Sequence, residues 1–204
     1  MILYFMDPLG KRELITFYDR HLRDFGDAPQ AVRWTPEGQM RRYKTLLTVT
    51  GDLSGKSILD FGCGKGDLYG FLRDNGLSVA YCGVDVNENL IALAQQKYPD
   101  ARFIATDIDD SPFDLLFDVV IAIGVFNLRI AGIEESSRCL LKKLFHLCRE
   151  SLHANFLTYY IPRRTVELFY VKPEELLAFA LKEISPDVTL RHIQEDIFLS
   201  VYQR

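Results

Sequence analysis

The spacing of hydrophobic and polar positions changes rhythm at about residue 58. Before it, segments 13–25 and 37–49 repeat apolar residues at helical intervals, joined by a stretch, 26–36, that contains Trp34. Beyond it, short continuous apolar runs alternate with amphipathic stretches. The runs at 57–61, 79–85, 102–107, 117–124 and 155–161 predict five strands buried on both faces, since such strands need no alternation. Between them, helices are predicted from Gly66 to about Asn75, over 88–98 with Asn87 as N-cap and Pro99 as terminator, and over 134–153. The last places Leu140, Leu141, Leu144, Leu147, Cys148 and Leu152 on one face. A helix from Pro173 to about Ile184 then gives way to strands at 188–193 and 197–202. Three intervening residues leave no room for a crossover, so these two strands must pair antiparallel. The pattern predicts an α/β fold. Its sheet is doubly wound, seven-stranded and mostly parallel, with helices on both faces and a C-terminal antiparallel hairpin.

Composition narrows the class of protein. With 204 residues, 48% of them hydrophobic, the chain is long enough to bury roughly 70% of its unfolded surface in one domain. The first 57 residues are expected to form a helical cover within the same domain as the core at 58–204. The longest apolar run, from Val119 to Phe126, falls far short of the ~20 residues that span a bilayer. Met1–Asp7 lacks the basic start and cleavage site of a secretory signal, so a cytoplasmic protein without membrane partners is expected. Cys63, Cys82, Cys139 and Cys148 form no C-x-x-C pair and stand at no zinc-finger spacing from histidine, so they read as reduced packing residues.

Charge is unevenly spread. The total of 24 basic and 28 acidic groups gives −4, which argues against a nucleic-acid surface. Residues 58–128 hold 4 basic and 11 acidic groups, a local −7, while the flanks are near neutral. An acidic centre suits a cationic ligand.

The first strand ends in Asp60-Phe61-Gly62-Cys63-Gly64-Lys65-Gly66 and opens a helix. Small residues there let a ligand approach the backbone closely. Asp67 takes the place of the last glycine in the dinucleotide pattern G-x-G-x-x-G, which disfavours a nicotinamide oxidoreductase. Asp85 ends the second strand, where a carboxylate accepts from a ribose diol, and Asp107 ends the third. Open α/β sheets bind ligands at this carboxyl edge, so topology gathers Asp60, Asp85 and Asp107 at one place.

Residues 58–66 resemble the first motif of class I S-adenosylmethionine-dependent methyltransferases, which share a Rossmann-like core. Gly83-Val84-Asp85 resembles that family's acidic motif, Phe103–Ile108 its adenine-contacting motif, and Phe117-Asp118-Val119-Val120 its fourth-strand motif. The resemblance covers about residues 40–204. It implies S-adenosylmethionine as cofactor, S-adenosylhomocysteine as product, and a small-molecule methyl acceptor. Gly62 and Gly64 would pass closest to the methionine part, with Asp60 beneath orienting its ammonium and the Gly124 carbonyl nearby. Asp85 would hold the ribose. Asp107 and the Ile108 N–H would meet the adenine, and Phe61, Cys63 and Val86 complete the contacting set. Arg42 matches an arginine that some members place against the cofactor carboxylate, although Arg41 is an equal structural candidate.

The acceptor side is less legible. The fourth strand ends Ile123-Gly124-Val125-Phe126-Asn127, without the Asn/Asp-Pro-Pro-Tyr type, the Pro-Cys or the magnesium-binding aspartate of other subfamilies. Trp34, Phe126, Asn127, Tyr160 and Arg163 are the expected acceptor contacts, with Tyr159 and Tyr170 nearby. Asp109 and Asp110, beside Asp107, read as a solvated loop. None of the four histidines is singled out as a base, and no catalytic residue is assigned. No separate recognition domain remains, so a monomer or homodimer acting on a small acceptor is expected. A non-catalytic cofactor-binding protein of the same fold is the alternative.

Overall fold

The computed structural model describes residues 7–108 and 115–204. Two helices come first: α1 (Pro8–Phe25), capped by the Asp7 carboxylate, and α2 (Pro36–Thr50), capped by the Thr35 hydroxyl. A single 3-10 turn, Pro29–Val32, lies between them. The alternating part follows as β1 (Ser57–Phe61), α3 (Asp67–Asp74), β2 (Ala80–Asp85), α4 (Glu88–Lys97), β3 (Arg102–Ala105) and β4 (Phe117–Ala122). The chain closes with α5 (Ile133–His146), β5 (Cys148–Thr158), β6 (Tyr170–Val171), α6 (Pro173–Glu183), β7 (Val188–Ile193) and β8 (Asp196–Tyr202).

The strands form one sheet in the order β3-β2-β1-β4-β5-β8-β7, with the two-residue β6 added beside the end of β5. The pairs among β1 to β5 are parallel, and β8 runs antiparallel to both β5 and β7. This is the predicted doubly wound sheet with its terminal hairpin, enlarged by β6. Two apolar clusters flank it. One gathers Leu140, Leu144 and Phe179 against Val120 and Leu152; the other gathers Tyr43, Leu46 and Leu72 against Ile58 and Ile121. Strand order reverses between β1 and β4, so the loops after these strands diverge and leave a crevice at their carboxyl ends.

One predicted helix is too long. The 134–153 segment divides at Leu147, which caps α5 and frees the chain to enter β5 at Cys148. Helical spacing of apolar residues continues through Leu152 because β5 is buried on both sides and holds apolar residues on either face. The contrary signal is polar: Ser151, His153 and Asn155 recur with period two and share one face of the strand. All three are satisfied in the core. The His153 ring bridges the Ser151 hydroxyl at 2.9 Å and the Ser200 hydroxyl at 2.8 Å, and burial pulls its pKa down to about 4. Cys148 likewise belongs to the strand, and all four cysteines are free thiols. No helix among the described residues is long and apolar enough to cross a membrane.

Candidate functional site

The crevice between the ends of β1 and β4 opens into a cavity lined mostly by apolar side chains, with Asp67, Asp85, Asn87, Thr106 and Asp107 among them. The turn after β1 supplies its floor. Gly62 and Cys63 donate their N–H groups to the Val84 carbonyl at 2.8 and 3.0 Å, tying the loop to β2. Gly62 has φ +72°, and a Cβ there would stand 2.5 Å from Val125 Cγ2, so only glycine fits. Gly124, after β4, has φ +83° and lies flat against the Trp34 indole, where a Cβ would meet Cζ2 at 2.3 Å.

Asp85 organises the loop. One carboxylate oxygen accepts from the Gly64 N–H and the other from the Asn87 N–H, both at 2.9 Å. Burial raises its pKa and these backbone donors counter the rise. Asn87 in turn caps α4 by accepting from the Leu90 N–H at 2.9 Å. Asp60 lies behind the loop, 4% exposed, and accepts from the Tyr81 hydroxyl. Desolvation pushes its carboxyl up to about 7, partly opposed by that hydroxyl and reinforced by Asp85 and Asp67. Asp107 lines the cavity while paired with Lys11 of α1 at 2.5 Å.

Of the residues singled out from sequence, Phe61, Gly62, Cys63, Gly64, Asp85, Val86, Asp107, Ile108, Gly124 and Trp34 line this one cavity. Asp60 sits just outside the lining. Asp109 and Asp110 lie outside the described residues. Other expected contacts lie outside this lining. Arg42 does not reach the cavity: its Nε donates to Asp196 at 2.8 Å and its guanidinium covers the Trp34 ring at 5.3 Å. Phe126 is a core residue, 1% exposed and stacked on Phe156 at 4.9 Å. Tyr160, exposed, donates its hydroxyl to Glu174 on α6, and Arg163 is exposed on the same loop, so both stand clear of the cavity. Asn127 is outside the lining as well; its carbonyl accepts from the Phe169 N–H at 2.9 Å, and its buried Oδ1 has no hydrogen-bond partner among the described residues.

Three contributions add residues that sequence reasoning did not name. Helix α1, part of the expected helical cover, lines the cavity with Leu14, Ile15 and Tyr18. Burial, with the Asp85 charge, pushes the Tyr18 phenol up to about 12. A buried polar chain runs from Arg42 through Asp196 to Asn155. Asn155 donates to Asp196 at 2.9 Å and accepts from the Gly124 N–H at 2.6 Å, fixing the turn after β4. Arg33, between Val32 and Trp34 of the lining, adopts a left-handed backbone at φ 60°, a strain of order 1–3 kcal/mol in a non-glycine residue. Its Nη2 donates to Glu167 at 2.5 Å, while its buried Nη1 has no partner among the described residues.

Known proteins share this arrangement. Residues 58–150 match the family described as a methyltransferase domain. A Mycobacterium tuberculosis protein with a provisional methyltransferase name is 28% identical over 142 residues, 67% of this chain and 85% of that protein. A fatty-acid O-methyltransferase of Mycolicibacterium smegmatis is 28% identical over 109 residues, 50% of this chain but 40% of its own length. The chain thus spans well under half of that longer relative. Among solved structures, magnesium protoporphyrin IX methyltransferase from Synechocystis PCC 6803 with bound S-adenosylmethionine superposes with a TM-score of 0.70. That match covers 98% of each chain at 17% identity, a likeness of fold. The matched domain, the sheet order and the glycine loop make the chain similar to the class I S-adenosylmethionine-dependent methyltransferases.

Proposed function

We propose that the cavity binds S-adenosylmethionine and that the protein transfers its methyl group in line to a small-molecule acceptor. The observation that carries this reading is Asp85. Each of its oxygens accepts one backbone N–H, from Gly64 and from Asn87, which leaves a lone pair on each for a ribose diol at the rim of the switch-point crevice. Gly62 and Gly64 then face the methionine part, and Asp107 with the Ile108 N–H faces the adenine. The Gly124 carbonyl and the Asp60 carboxylate lie toward the ammonium. Phe61, Cys63 and Val86 pack against the ligand, and Trp34 stands beside the reacting end. The acidic centre of the chain favours a ligand that is cationic at both sulfonium and ammonium. In-line displacement asks the protein to align acceptor, methyl carbon and sulfur and to exclude water, and α1 above the cavity serves that end.

In this reading residues 1–57 are a cover belonging to the same domain as the core at 58–204. The protein works in the cytoplasm as a monomer or homodimer, without nucleic acid or membrane. Calorimetric titration with S-adenosylmethionine, S-adenosylhomocysteine and NAD tests it. Both adenosyl ligands should bind, NAD should not, and Asp85→Ala should weaken the adenosyl ligands at least tenfold. Preferential NAD binding would overturn the assignment, and unchanged affinity in the variant would remove Asp85 from the ribose.

A further inference from the structure

Of the three residues that α1 brings to the cavity lining, Leu14, Ile15 and Tyr18, the last carries a polar group. None of the cofactor contacts named above uses it. Its place is fixed through Asn87. The Asn87 side-chain amide donates to the Asp19 carboxylate at 2.9 Å and to the Ile15 carbonyl at 3.5 Å. The helix is thus tied down one residue after Tyr18 and three residues before it. The Asn87 backbone N–H in turn donates to Asp85 at 2.9 Å. This chain of contacts sets Tyr18 at the Asp85 end of the cavity, where the Asp85 charge acts on the phenol. The ring stands edge-on to Phe17, with centroids 5.2 Å apart. Its hydroxyl makes no hydrogen bond among the described residues.

A ribose hydroxyl donates one hydrogen and accepts through two lone pairs. The Asp85 carboxylate accepts and cannot donate, so it meets half of what a diol offers. Donors next to it are already engaged: the Gly64 and Asn87 N–H groups hold Asp85, and the Asn87 amide holds α1. The Tyr18 phenol, pushed up to about 12 by burial and by the Asp85 charge, keeps its proton at neutral pH and is a donor.

We infer that Tyr18 is a further cofactor-binding residue, whose hydroxyl donates to an oxygen of the ribose diol that Asp85 holds. This rests on the cofactor assignment above. It makes the N-terminal cover a working wall of the cofactor site, since α1 then reads the ligand through a directed hydrogen bond as well as shielding it.

The test is calorimetric titration of the full chain with S-adenosylhomocysteine and with its 2′-deoxy and 3′-deoxy analogues, in wild-type protein and in Tyr18→Phe. The variant should bind S-adenosylhomocysteine about three- to tenfold more weakly, the worth of one neutral hydrogen bond. For one of the two analogues, wild type and variant should bind alike, because the oxygen that Tyr18 meets is gone; the other analogue should keep the difference. Ratios between ligands are taken within one protein, so any change in its stability cancels. Tyr18→Leu, which also removes the ring, should lose further affinity equally for all three ligands. An equal loss for all three ligands in Tyr18→Phe would reduce Tyr18 to a packing residue, and no loss at all would remove it from the site; either result overturns the inference. If wild-type protein fails to bind S-adenosylhomocysteine, the cofactor assignment fails first. If it binds while Tyr18→Phe is indifferent to the deoxy substitutions, this inference alone falls.

Discussion

At the scale of single residues, burial raises the pKa of both Asp85 and Asp60, and what differs is the set of donors that opposes it. Asp85 is anchored by backbone donors, whereas Asp60 accepts from one hydroxyl. Because the folded-state pKa of Asp60 is raised to about 7 from 3.8, its contribution to stability is complete below pH 4 and lost as pH rises through 7. Asp60→Asn should therefore raise the melting temperature of the ligand-free protein at pH 8, by about 2–4 °C for each kcal/mol recovered, and leave it nearly unchanged at pH 4. Scanning calorimetry at the two pH values checks this, and an equal shift at both would refute a buried charge as the cause. Phe126 calls for a different measurement. Stacked on Phe156 in the core, Phe126→Ala should cost about 3–5 kcal/mol in denaturant unfolding, the price of a large cavity. The cavity lining, and with it S-adenosylhomocysteine affinity, should be little altered.

At the scale of elements, the glycine loop and strand-end aspartates were legible because they are local. One turn and three strand ends carry them, and strand order brings them to one edge. The helix–strand boundary at Leu147 was not, since a strand buried on both faces shows the apolar spacing of a helix and only Ser151, His153 and Asn155 betray it. Nor could helical periodicity say what α1 covers. Its attachment is largely polar: Asp19 accepts from Asn87 and Asn89 at 2.9 Å each, Glu13 accepts from the Ala131 N–H at 3.2 Å, and Lys11 pairs with Asp107. Few buried apolar residues hold this roof, which makes it the element most easily lifted when a ligand leaves. Asp19 lies outside the lining, so Asp19→Ala loosens the roof without reshaping the cavity. At about 0.5–1.5 kcal/mol per lost hydrogen bond, the dissociation rate of S-adenosylhomocysteine should rise by roughly five- to a hundredfold in stopped-flow experiments. An unchanged rate would mean that α1 does not gate release.

At the scale of the whole molecule, three parts of the chain that are distant in sequence meet in one buried polar line: α2 through Arg42, the terminal hairpin through Asp196, and the central sheet through Asn155, which ends on the Gly124 N–H. No sequence pattern could reveal it, because each contact joins residues at least 31 positions apart and rests on β8 entering the sheet antiparallel beside β5. Arg42, expected against a ligand, serves as the charged end of this line. Both charges are removed from water, with side chains 10% and 2% exposed. Breaking such a pair from one side is more damaging than removing it, since a buried charge is left uncompensated. Asp196→Asn keeps an acceptor for Asn155 but leaves the Arg42 guanidinium to the more distant Glu195 carboxylate at 3.9 Å, and should lower stability by up to about 3–5 kcal/mol, a drop of up to roughly 20 °C in melting temperature. Adding Arg42→Met removes that weakly paired charge, so the double variant should regain more than half of the loss, and the coupling between the two sites should exceed 1 kcal/mol. Chemical denaturation of the four proteins in the cycle measures it. Additive losses would mean that Arg42 and Asp196 stabilise the fold separately and that the line is no unit. If the coupling is present, the weakened variants should also bind S-adenosylhomocysteine less tightly in proportion, because Asn155 loses the partner that holds its amide against the Gly124 turn.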